Sequence, residues 1–205
     1  GGGSVAGPAA GGSIQSLALS PVADGVIWTG ASTGLVHVTR DGGKTWNNVT
    51  PPNLPVGPIN VIDASHANAG TAYTSLLSRD GHPHIYRTTD FGTSWQEISN
   101  GLADDAVVRV VREDPVDASI LYAGTVRAAW VSFDRGDHWQ SLQLNLPATV
   151  VSDITVHGND LVISTYGRGF WILDDVTPLR QLRTAMASSA QPFLFKPAPA
   201  SRARW

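Results

Sequence analysis

One eight-residue pattern occurs three times in this chain. It reads Thr39-Arg40-Asp41-Gly42-Gly43-Lys44-Thr45-Trp46, then Thr88-Thr89-Asp90-Phe91-Gly92-Thr93-Ser94-Trp95, then Ser132-Phe133-Asp134-Arg135-Gly136-Asp137-His138-Trp139. A small hydroxyl residue precedes the aspartate by two places. A glycine follows the aspartate by two, and a tryptophan ends the unit. Asp90 lies 49 residues after Asp41, and Asp134 lies 44 after Asp90. A repeat at near-constant spacing decides the architecture before any local propensity does.

The residue types suit a turn. The carboxylates of Asp41, Asp90 and Asp134 can accept hydrogen bonds from backbone N–H groups just after them. Gly43, Gly92 and Gly136 supply the positive φ of a tight corner. The hydroxyls of Thr39, Thr88 and Ser132 are free to tie the corner to a neighbouring strand. Trp46, Trp95 and Trp139 then begin the next strand and bury a large apolar face. Nothing in the pattern calls for catalysis, so the three aspartates read as structural.

Short alternating runs surround each copy. Strands are expected at 14–20, 26–29, 35–39 and 46–49, and again at 59–64, 71–75, 84–88 and 95–98. A third set falls at 107–112, 120–124, 129–132 and 139–142. A fourth is incomplete, at 153–157, 161–165 and 170–173, with Asp175 at the aspartate position but Leu173 where Thr39 stood. Four strands per unit of about 40–50 residues define blades of a β-propeller. The expected blades span 14–50, 59–99, 107–143 and 152–175. Residues 1–13 read as a Gly-rich linker. Residues 178–190 read as a short amphipathic helix (Leu179, Leu182, Met186) with Pro178 in its first turn. The Pro-rich, basic stretch 191–205 reads as extended or disordered.

The repeat resembles the Asp box, or BNR repeat, of β-propellers in the sialidase, xyloglucanase-like glycosidase and sortilin-type receptor groups. The segment Ser164-Thr165-Tyr166-Gly167-Arg168-Gly169-Phe170-Trp171-Ile172-Leu173-Asp174-Asp175 is similar to the last blade of large bacterial "glycosyl hydrolase, BNR repeat" or sortilin-like proteins. The resemblance covers residues 14–180. It implies an all-β propeller of four-stranded antiparallel blades, with about four present here as part of a larger ring. Further blades of a parent protein, or a second copy, would complete that ring. It also implies that the Asp boxes sit at corners remote from the ligand face.

Composition narrows the chemistry. The chain has 205 residues, a net charge of −3 and 15% charged residues, with no basic stripe for nucleic acid. No run reaches the roughly 18 apolar residues of a membrane span. There is no cysteine, hence no disulfide framework or thiol chemistry. The chain opens on Gly1 without leader features, so a processed product or a piece of a larger secreted or periplasmic protein is expected.

Blade geometry selects a list of candidates. With the Asp boxes in the C–D turns, ligand groups should come from B–C and D–A loops or from strand A. The B–C loops offer Arg79, Asp80, His82, His84, Arg127, Tyr166 and Arg168. The D–A loops offer Asp104 and Asp105, and strand A offers Asp63, Arg109, Arg112, Glu113 and Asp153. The binding candidates are Arg79, His82, His84, Arg127, Tyr166 and Arg168, with a glycan or peptide as ligand. A glycosidase would need paired carboxylates about 5–9.5 Å apart, for which Asp63, Asp104 and Asp153 are the weak candidates. His82-Pro83-His84 beside Asp80 has metal-ligand residue types but no fixed tetrahedral geometry, and neither metal nor cofactor is expected. Two readings follow. One is a recognition or structural module of a larger protein, and the other is part of a glycoside hydrolase whose remaining groups lie on other blades.

Overall fold

The computed structural model describes residues 12–187 and 193–197. Four antiparallel sheets follow one another along the chain, each with its strands in sequence order. The first blade holds β1 (Ile14–Leu19), β2 (Ile27–Ala31), β3 (Val36–Thr39) and β4 (Asn47–Asn48). The second holds β5 (Ile59–Ala64), β6 (Ala72–Leu76), β7 (Ile85–Thr88) and β8 (Gln96–Glu97). The third holds β9 (Val108–Glu113), β10 (Leu121–Thr125), β11 (Ala129–Ser132) and β12 (Gln140–Ser141). The fourth has three strands, β13 (Val151–His157), β14 (Asp160–Thr165) and β15 (Phe170–Leu173). Helix α1 (Thr177–Ala187) stands in place of a fourth. The fold is therefore all-β apart from one helix, as the repeat predicts.

The outer strands are shorter than expected. Each has two residues, and the tryptophan precedes the strand instead of starting it. All six residues are polar and exposed. Short polar edges of this kind offer no ladder to a foreign strand. The helix ends at Ala187, so residues 188–190 of the expected helix lie outside the described residues, as do most of the expected linker and tail.

Inner strands lie side by side, β1 against β5, β5 against β9 and β9 against β13. Three apolar clusters fill the three seams between consecutive blades. The first seam buries Trp28, Val36, Val38, Ile59 and Ile62. The second buries Tyr73, Ile85, Val108 and Val111, and the third buries Tyr122, Val131, Ile154 and Leu161. Aligned ladders make Trp28, Tyr73, Tyr122 and Val162 equivalent positions. In the first three blades that position carries one of the largest fully buried side chains of the molecule. Blades approach so closely at the inner end that a Cβ on Gly30 would collide with Ile59, and one on Gly124 with Val151.

The fourth blade is held by α1. Arg180 Nε donates to Asp114, 3.0 Å from Oδ1, and its Nη1 lies 2.7 Å from Asn159 Oδ1. Asp114 is wholly buried and also accepts from the Tyr122 hydroxyl at 3.1 Å and from two backbone N–H groups of its own turn. Asp175, with φ of 61°, does not form an Asp box. Its carboxylate accepts from the Thr177 N–H and hydroxyl and leads the chain into the helix.

Candidate functional site

The three Asp boxes have one geometry. In the first, Thr39 Oγ1 donates to Asp41 Oδ1 at 2.8 Å and accepts the Gly43 N–H at 2.9 Å. Asp41 Oδ1 accepts the Thr45 N–H at 2.9 Å, and Oδ2 accepts the Thr45 hydroxyl at 2.6 Å. Ser94 repeats the role of Thr45 in the second box, and His138 does so in the third through its N–H and Nδ1. The hydroxyls of Thr39, Thr88 and Ser132 therefore close their own turns instead of reaching a neighbouring strand. These hydrogen bonds to the charged form hold Asp41 well below the usual carboxylate range and lower Asp90 too, those from Thr45 and Ser94 contributing most. Asp134 is lowered too, its hydrogen bonds from His138 and Ser132 outweighing partial burial. The tryptophans link blades. Trp95 Nε1 donates to Val49 O of the first blade at 2.7 Å, and Trp139 Nε1 donates to Ile98 O of the second at 2.6 Å.

The opposite edge carries the B–C and D–A loops. Tyr166 is 61% exposed there. The Arg109 guanidinium of the third blade lies 5.3 Å from its ring centroid and donates to its hydroxyl at 3.1 Å. One face of the ring is thus backed by a cation, a favourable arrangement with the ring quadrupole, while much of the ring meets solvent. Arg79 and Arg168 are exposed, and their side chains make no hydrogen bond or ion pair among the described residues. Arg127 pairs with Asp105 at 3.3 Å. No partner joins these three arginines into one cluster.

The histidines are bound up with loop structure. His84 lies between Glu97 Oε1 at 2.8 Å and Asp80 Oδ2 at 3.0 Å, and its ring stacks on Tyr86. His82 Nδ1 is 3.2 Å from Asp104 O. The His82 N–H, bonded to Asp80 Oδ1, is the chief reason the Asp80 carboxyl drops to about 2. Among the described residues no three His, Cys, Asp or Glu side chains converge as a metal site would require.

Of the three carboxylate candidates, Asp63 and Asp153 meet the same guanidinium. Arg112 Nη1 lies 3.1 Å from Asp63 Oδ1, and Nη2 lies 2.9 Å from Asp153 Oδ1. Arg112 Nε also donates to Ile154 O, and Asp63 Oδ2 accepts the Glu113 N–H. One arginine thus ties the inner strands of three blades. Burial pushes the Asp63 carboxyl up, against the pull of Arg112. Asp104 stands apart on its exposed loop.

Three comparisons bear on the blades. No protein-family model matches the chain. A stretch of 158 residues is 26% identical to a xyloglucanase of Paenibacillus sp, covering 72% of this chain and 15% of that protein. A stretch of 88 residues is 30% identical to vacuolar protein sorting/targeting protein 10 of Pyrenophora teres f. teres, covering 42% of this chain and 5% of that one. The solved structure of YCF48 bound to D1 peptide superposes with a TM-score of 0.60 at 19% identity, over 78% of this chain and 50% of that one. The blades are those of an Asp-box β-propeller. The chain spans only a small part of the two curated relatives' length, and half of that structure's.

One feature of this propeller was not legible as a site in the sequence. Between the second and third blades, on the Asp-box side, lies a cavity of about 280 Å³ lined in part by Tyr73, Arg87, Glu113, Arg135 and Asp137. Glu113 is 2% exposed. Its Oε1 accepts from the Ser65 hydroxyl at 2.8 Å and the His66 N–H at 2.7 Å, whereas its Oε2 makes no well-formed hydrogen bond, with the Tyr73 hydroxyl loosely beside the carboxylate. Burial pushes its carboxyl up. Tyr73 and Arg87 face each other across the β6–β7 ladder, and only that pairing, combined with Glu113 on the next blade, could have signalled the cavity.

Proposed function

We propose that this chain is a recognition module of a larger β-propeller protein, and that it binds an extended glycan or peptide across the edge that carries the B–C loops. The observation that carries this reading is the Tyr166 platform. A largely exposed ring backed by Arg109, with Arg168 unengaged two residues on, is a surface on which a sugar ring or a peptide side chain can stack. The relatives agree in kind, since one is named for a glycan and one solved neighbour holds a peptide. We assign Asp63 and Asp153 to holding blades together, because both already face Arg112.

The ring is larger than these blades. Ile14, Leu17 and Leu19 are exposed, whereas their equivalents Ile59, Ile62 and Ala64 are buried in the first seam. Phe170 and Ile172 are exposed, whereas their equivalents Val36 and Val38 are buried. Each end face thus displays half of a blade–blade seam, and further blades of a parent protein complete it.

Binding to a glycan array and a peptide library tests the recognition reading. The wild-type chain should select ligands from one of the two, and Tyr166→Ala should weaken that binding at least about tenfold. Binding that Tyr166→Ala leaves intact would overturn the assignment.

A further inference from the structure

The seam between the second and third blades breaks the repeat. In the first seam the corresponding positions hold Trp28, Val38, Ala64 and Phe91, packed as an apolar cluster. In the second they hold Tyr73, Arg87, Glu113 and Arg135, around open space. In repeat proteins such a local departure, buried and costly, marks a site whose polarity is used.

Two groups of opposite charge on this cavity lack partners. Glu113 Oε2 is buried and makes no well-formed hydrogen bond, the Tyr73 hydroxyl standing only loosely beside the carboxylate. Arg135 lines the same space, and its side chain makes no hydrogen bond or ion pair among the described residues. The other charges are spoken for. Arg87 donates to Arg135 O at 2.7 Å and Gln96 Oε1 at 2.7 Å, and it pairs with Asp137 at 3.2 Å. Arg112, behind Glu113, is taken up by Asp63 and Asp153. His66 Nδ1 is 3.9 Å from Glu113 Oε1, the oxygen that already has donors. The walls at Ala67 and Ala118 are small, and Thr71 and Thr89 add further polar lining.

We propose that this cavity binds a small zwitterion of the free α-amino acid class, its ammonium donating to Glu113 Oε2 and its carboxylate received by Arg135. A buried acceptor without a partner is costly, and an ammonium satisfies it with a charge-assisted bond. The Arg87–Asp137 pair adds a charge-balanced stretch to the cavity lining. The cavity volume suits a molecule of that size and excludes a folded partner.

The test is isothermal titration calorimetry on the full chain with the twenty amino acids, and with methylammonium and acetate as one-ended probes. At least one amino acid should bind with unit stoichiometry, more tightly than either probe. Glu113→Gln and Arg135→Ala should each weaken it at least about tenfold, and Tyr166→Ala, on the opposite edge, should leave it unchanged. Arg135→Ala removes an exposed side chain, so its circular dichroism should match that of the wild type. No heat from any amino acid at about 10 mM would overturn the proposal. So would binding indifferent to Arg135→Ala, or binding of methylammonium as tight as that of the best amino acid.

Discussion

The first and second seams are built on the same ladders, yet they spend the same positions differently. Trp28 pairs with Val38 across the first blade, and Tyr73 pairs with Arg87 across the second. Opposite them stand Ala64 in one case and Glu113 in the other. The first arrangement is dry and close-packed, with Trp28 set edge-on to Trp95 at 6.3 Å. The second encloses a polar cavity. The turn that meets each inner strand explains why a glutamate is tolerated only in the second. Ser65 and His66 give Glu113 a hydroxyl and an amide. Their counterparts are Ser20 and Pro21, and a proline has no N–H to give. A repeated scaffold can carry one polar seam because the apolar clusters beside it supply much of the burial.

Five measurements bear on that contrast. Trp28→Ala should cost about 3–5 kcal/mol in urea unfolding, as for other large-to-small core changes. Tyr73→Phe, at the equivalent place, should cost less than about 1 kcal/mol, since its hydroxyl loses only a loose contact with Glu113. Equal costs would erase the distinction. Ala64→Glu should cost roughly 3 kcal/mol, because the new carboxylate would be buried with no amide to receive it. A neutral outcome would show that the dry seam can host a charge.

Asp90→Ala should lower stability at neutral pH and loosen the corner that presents Trp95 to the first seam. The folded carboxyl of Asp90 titrates below its ordinary value of 3.8, so its contribution is complete above that pH and is lost as pH falls through the folded value. The gap between wild type and variant in a pH series of melting temperatures should therefore close in acid. A gap as wide in strong acid as at neutral pH would mean the carboxylate charge is not what holds the turn. Glu113→Gln should act in the opposite direction. Burial raises this carboxyl above its ordinary 4.5, so its folded form is favoured at low pH and loses stability as pH rises through the raised value. The variant should melt roughly 2–4 °C higher at pH 7, and the gain should vanish below pH 4.5. A lower melting temperature at pH 7 would mean that a partner for Oε2 is already present.

The blades were legible because the repeat is written three times and the alternation around it is regular. Strands 59–64, 129–132 and 170–173 fall where the alternation places them. The fourth residue after each aspartate reads in sequence as a hydroxyl position, Thr45 and Ser94, at which His138 stands as an exception; that its Nδ1 reaches Oδ2 as the two hydroxyls do is visible only in the structure. The two-residue outer strands were overestimated because the tryptophan, apolar in pattern, is spent on the neighbouring blade. Asp63, Arg112 and Asp153 were each picked out as inner-strand residues, but their union depends on the sideways spacing of three sheets, which no single strand encodes. The cavity around Glu113 was hidden for the same reason, since its walls come from two blades and four separate stretches of chain.

The tryptophan bonds of the Asp boxes all point one way. Trp95 reaches back to Val49 and Trp139 back to Ile98, so the second and third blades each seat an indole on the blade before, while Arg87 and Arg112 reach forward to the blade after. The indole bonds are polar in the sense of a ratchet. Loss of a later blade leaves each earlier indole seated, whereas loss of an earlier blade strands the indole that follows. In these two bonds alone, loss from the leading end frees the next indole and loss from the trailing end frees none.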